Sequence, residues 1–149
     1  MKKRDVIFTI IGIVLVSFVL FRSKANQRAK SINCTFNISA ICFATSLWAD
    51  DANQGMQPRT ITDLIACSNE ICTTKVLICP ADSQKQAAVN FSSLVTNNLS
   101  YELIGQSVRT QDTNNPFLRC EIHKHLGYSL GLVFDGKHKF IPAIEAHGK

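Results

Sequence analysis

The chain has 149 residues, 46% of them hydrophobic, with six cysteines and a formal net charge of +5. That is enough for one domain with an ordinary core and too little for a second independent one. The positive charge sits at two places, Lys2, Lys3 and Arg4 against Asp5, and then Arg22, Lys24, Arg28 and Lys30, whereas from Ser31 to Lys149 nine Lys and Arg face ten Asp and Glu. The body is therefore close to neutral, which excludes the electrostatic footprint of a nucleic-acid binder.

The two basic clusters flank an uncharged apolar run, Val6 to Phe21. As a helix this run rises about 24 Å, slightly less than a bilayer core of about 30 Å, and Arg4 and Arg22 can snorkel across the difference. The expectation is a transmembrane segment at 6–21, a cytoplasmic stub at 1–5 and an exported domain at 22–149, with the flanking charges on lipid head groups. A secretory signal cleaved at Ser23-Lys24-Ala25 is the rival reading; the run is long for such a signal and basic residues crowd the site. All six cysteines follow the run, and disulfides persist in oxidising compartments, so the C-terminal side is expected outside the cytoplasm.

From Leu15 to Asn53 nothing in the sequence breaks a helix. On a helical wheel Cys34, Ile38, Ile41, Thr45 and Trp48 share one stripe, and Ile32, Phe36, Ala40, Phe43 and Leu47 share another almost opposite. One core needs one such face, so two faces imply a partner besides the chain's own sheet, unless a small fold wraps the helix. The helix-interface candidates are Ile38, Ile41, Trp48, Phe36, Phe43 and Leu47. A stop is expected near Asn53-Gln54-Gly55, with Gly55 as a left-handed cap and Pro58 beyond it. Asp51, Asn53 and Gly55 resemble the start of a calcium loop, but the Glu that would close it is missing.

Beyond Arg59 the pattern predicts a short helix from Thr60 to Cys67 and a strand over Lys75 to Cys79, ended by Pro80. Gln84 to Asn98 reads as loop. Strands are predicted at Leu99 to Gly105, Phe117 to Ile122, Tyr128 to Phe134 and Lys139 to Ile141, the last two joined by the hairpin signal Asp135-Gly136. A long helix followed by a small antiparallel sheet is an α+β arrangement.

Cys120-Glu121-Ile122-His123 with Cys79-Pro80 offers Cys and His ligands of the kind zinc takes, but no second local Cys-x-x-Cys pair accompanies them. A Cys79–Cys120 disulfide explains the same residues, Cys67 and Cys72 make a second candidate bridge, and no metal ligand or cofactor is assigned. Cys34 and Cys42 stand two helical turns apart, out of reach of each other. His123, His125, His138 and His147 read as surface residues. No nucleophile and base set, phosphate loop or metalloprotease motif is present, so an enzyme acting on a small-molecule substrate is not expected. The Asn-x-Ser/Thr triplets at Asn33, Asn37, Asn90 and Asn98 read as chance.

Several blocks taken together resemble the pseudopilin or type IV pilin-like proteins, in particular a bacterial subgroup of type II secretion proteins. They are Ala29-Lys30-Ser31-Ile32-Asn33-Cys34 with Asn37, Ile38 and Ile41, then Leu47-Trp48-Ala49-Asp50-Asp51 with Asn53 and Gly55. Val76-Leu77-Ile78-Cys79-Pro80-Ala81-Asp82, Asn90-Phe91, Ser100-Tyr101 and Arg119-Cys120-x-x-His123 follow in the same order. The resemblance implies a pilin-like fold and a non-enzymatic, single-pass subunit. It further implies a bacterial inner-membrane location with a periplasmic domain, and other secretion-system subunits as partners. The N-terminus departs from the family: Phe8-Thr9-Ile10-Ile11 stands where prepilins are cut, but Ile7 replaces the cleavage Gly and Gly12 the Glu that registers neighbouring subunits. A membrane-tethered binding module and a secreted disulfide protein are the alternatives.

Overall fold

A computed structural model describes residues 3–104, 108–112, 114–134 and 140–142 of the chain. Helix α1 runs unbroken from Lys3–Ala52, a rod of about 75 Å at the usual rise per residue. Its end follows from local chemistry. Gln54 and Gly55 both take positive φ, at 52° and 77°, and the Gly55 N–H turns back to the Ala49 carbonyl at 2.7 Å, the left-handed termination that glycine permits at least cost. One helix among the described residues is thus long and apolar enough to cross a membrane.

Two short helices follow, α2 at Ile61–Ala66 and α3 at Ser68–Ile71. Thr60 caps α2 reciprocally with Asp63, each side chain accepting from the other's backbone N–H, which satisfies donors at the helix start. The sheet is an antiparallel meander in the order β1-β2-β3-β4-β5: Tyr101–Leu103, Pro116–Cys120, Leu126–Tyr128, Leu132–Phe134 and Phe140–Pro142. Tyr101 stands opposite Cys120 and Leu118 opposite Gly127. The C-terminal half of α1 lies on this sheet and on the irregular segment between α3 and β1, burying Cys34, Ile38, Ile41 and Thr45 against Leu64, Leu77, Phe117, Leu118 and Val133.

Three sequence expectations change. Lys75 to Cys79 is not a strand: Thr74–Leu77 forms a tight 3-10 turn whose start is capped by the Thr73 side chain. Its backbone hydrogen bonds are made one at a time, the Leu77 carbonyl accepting from Ser100 N–H at 3.0 Å and the Ile78 carbonyl from the Asn37 side chain on α1 at 3.0 Å. Apolarity buries this segment, but among the described residues no strand pairs with it. Tyr128 to Phe134 is not one strand but the facing halves of a hairpin, β3 and β4, reversed at Leu130 with φ of 61°. The Leu130 N–H freed by that turn donates to Ser46 Oγ on α1 at 3.2 Å. The third change concerns His125, expected at the surface and found buried. The Asp135-Gly136 turn, His138, His147 and the start of the stub lie outside the described residues; β4 and β5 nonetheless pair antiparallel, Phe134 opposite Phe140.

Candidate functional site

Two features stand out once the fold is built. The first is the face of α1 turned away from the domain. From Ile11 to Ala29 every side chain is exposed, and beyond that the outward stripe continues with Ile32 at 56%, Phe43 at 47% and Leu47 at 46% exposure. The two stripes expected from the wheel therefore have different fates. Ile38 and Ile41 are fully enclosed by their own domain and Trp48 packs against the same core, so these three interface candidates serve the fold. Phe36, Phe43 and Leu47 face outward, Phe36 the least exposed of them at 38%.

The second feature gathers side chains that are remote in sequence. Cys34 of α1, Cys79 after the 3-10 turn, Cys120 at the end of β2 and His123 in the β2–β3 connection present their ligand atoms within 4.8 Å of one another. The three cysteines are 0% exposed. Cys79 Sγ lies 3.3 Å from His123 Nδ1, and Tyr101 O–H points to Cys34 Sγ at 3.7 Å. Each cysteine is held by a different local device. The inward stripe of α1 fixes Cys34. A turn at Cys79-Pro80-Ala81-Asp82, closed by Asp82 N–H on the Cys79 carbonyl at 2.9 Å, aims the Ala81 N–H at Cys79 Sγ. The turn after Cys120 aims the N–H groups of Ile122 and His123 at Cys120 Sγ and is completed by Lys124 at φ 59°.

This crowding sets the charge state of the thiols. Hydrogen bonds from Cys34 and Cys79, together with the backbone donors, hold the Cys120 thiol well below the usual thiol range. The hydrogen bond with Cys120 pushes the Cys34 and Cys79 thiols up, with burial adding to it, while the Cys34 contact acts the other way on Cys79. His125 stacks on His123 with ring centroids 5.3 Å apart. Its own ring nitrogens lie 3.3 Å from Ser31 Oγ and 3.2 Å from Thr35 Oγ1, both on α1. The histidine pair is therefore anchored to α1 through His125, while His123 meets Cys79.

All six cysteines are free thiols in the structure. Cys79 and Cys120, expected as a bridge, are brought together, but with Cys34 and His123 as additional neighbours. Cys67 and Cys72, the other expected pair, bracket α3: Cys67 is buried, and Cys72 is exposed with its thiol on the Asn69 carbonyl at 3.1 Å. Sequence reasoning missed Cys34 as a member of the cluster because no local spacing links it to Cys79. The available signal was its place at the head of the inward stripe. Comparison of the chain with family models, with curated proteins and with solved structures finds no significant match in any of the three.

Proposed function

We propose that the chain is a non-enzymatic, membrane-tethered, pilin-like subunit. In this reading 6–21 spans a bacterial inner membrane, the N-terminus is cytoplasmic, and the periplasmic domain packs laterally through α1 against neighbouring subunits of a type II secretion or type IV pilus-like assembly. The observation that carries the reading is the outward face of α1, where Ile32, Phe43 and Leu47 remain exposed in line with the apolar N-terminal half. A helix that already buries one stripe in its own domain has no folding need for a second.

Magnitudes favour assembly in a membrane over association in free solution. Burying the exposed halves of three large apolar side chains is worth roughly 3 kcal/mol, less than the roughly 4 kcal/mol or more of lost freedom that association costs. Co-insertion of parallel helices in one bilayer removes much of that cost by raising the effective concentration. Photo-crosslinking from position 47 of the full chain in membranes tests the reading: defined oligomeric or partner adducts are expected, and Phe43→Asp should abolish them. A folded, membrane-inserted chain that gives no adducts, or adducts indifferent to that substitution, would rule it out. The alternative of a tethered binding module is favoured only by the cysteine cluster, which is compatible with either role.

A further inference from the structure

We propose that Cys34, Cys79, Cys120 and His123 bind one Zn²⁺ ion as a closed tetrahedral site that clamps α1 to the C-terminal sheet. The inference rests on the cluster geometry and not on the packing of α1 in a membrane, and in an oxidising compartment bound zinc would compete with disulfide formation for the same sulfurs. Three thiolates and one imidazole form a donor set of structural zinc sites, whose bond lengths of about 2.3 Å to sulfur and about 2.0 Å to nitrogen make ligand-to-ligand edges of about 3.5–3.8 Å. The four ligand atoms already lie within 4.8 Å of one another, with the Cys79 to His123 edge at 3.3 Å, so closing the tetrahedron shortens the longest edge by at most about 1 Å, within reach of side-chain torsions. All four donors come from the protein and the sulfurs are fully enclosed, which leaves no open coordination position of the kind catalytic zinc requires.

The surroundings suit the charge of such a centre. Zn²⁺ with three thiolates carries a net charge of −1, and binding releases to solvent whatever protons the thiols still hold. Backbone N–H groups of Ala81, Ile122 and His123 point at two of the sulfurs, and the Tyr101 hydroxyl at the third. Polar donors of this kind fix the ligands and tune the metal. A Cys79–Cys120 disulfide would use only two of the four groups, leaving the buried Cys34 thiol and the His123 ring without a reason to converge there. Zinc uses all four and ties together segments separated by more than forty residues each.

The test uses the full chain purified in detergent without chelator, with metals quantified by mass spectrometry and cysteine oxidation state read from intact mass after alkylation. One zinc per chain is expected, with the four-ligand set reported by the sulfur-to-cobalt charge-transfer band and the strong visible bands of a tetrahedral site after Co²⁺ exchange. Cys34→Ser separates the hypotheses, because a Cys79–Cys120 bridge is indifferent to it whereas the zinc site should lose stoichiometric metal. Cys42→Ser and Cys67→Ser, equally buried but outside the cluster, should keep it. His123→Cys guards against misfolding as an explanation: it preserves four ligands and should retain zinc, with a stronger cobalt charge-transfer band. A native Cys79–Cys120 disulfide, a reduced and folded chain that takes up no added zinc, iron or copper in place of zinc, or full zinc retention in Cys34→Ser would each overturn the proposal.

Discussion

Gly127 shows how closely the sheet and α1 approach. A Cβ at this position would lie 2.6 Å from Cys42 Sγ and 2.8 Å from Ile38 Cγ2, so helix and strand touch backbone to side chain with nothing between. Gly127→Ala is expected to cost about 1–3 kcal/mol through forced repacking, checked by denaturant unfolding of the domain; an unchanged midpoint would mean that the helix can move off the sheet. Cys67 carries a second prediction. Burial, with the charges of Glu70 and Asp63 adding to it, pushes its thiol up from 9.0 to about 12. An acid whose folded pKa is raised stays neutral in the folded chain after the unfolded chain has begun to ionise. Its contribution to stability is therefore complete below 9.0 and is lost as the pH climbs toward about 12. Thermal melts across that window should fall for the native chain and fall less for Cys67→Ala. Equal slopes would show that this thiol does not report the transition.

At the level of the element, α1 is one helix doing two jobs. Its inward stripe is part of the core and its outward stripe is not, so substitutions five residues apart on it should separate by phenotype. Ile38→Ala, at a fully buried position, is expected to cost about 2–5 kcal/mol of stability through the cavity it leaves. Phe43→Ala, nearly half exposed, should cost no more than about 1 kcal/mol while weakening any lateral contact. Unfolding midpoints and membrane crosslinking yields, measured on the same pair, check this, and a large stability loss at Phe43 would place that side chain in the fold instead of at an interface. The helix was legible in the sequence because its signals are local: an apolar 3.6-residue period, no interior breaker after Gly12, and Gln54-Gly55 able to take positive φ. The Lys75 to Cys79 segment departs from its strand expectation for the complementary reason. A short apolar run is buried either way, and whether it becomes a strand depends on a pairing partner that no local pattern announces.

For the whole molecule, the cysteine cluster is the point where the N-terminal helix, the irregular middle and the sheet meet. If zinc occupies it, chelation should remove a ligand that binds only the folded state. At a thousandfold excess over the dissociation constant that binding is worth about 4 kcal/mol, or on the order of 10–20 °C in melting temperature for a domain of this size. Melts with and without a high-affinity chelator, followed by zinc add-back, check the loss and its reversal; identical melts on a metal-loaded chain would deny the site a structural role. The amino-acid sequence by itself determined the long helix, its two apolar stripes, its stop at Gly55 and the α+β class, since each depends on propensity and period within a few turns of chain. Only the tertiary structure decided which stripe is buried, that β3 and β4 fold back on one another at Leu130, and that Cys34 stands beside Cys79, Cys120 and His123. Those outcomes depend on where distant segments come to rest, and a side chain's chemistry does not encode its neighbours across forty residues until packing has brought them together.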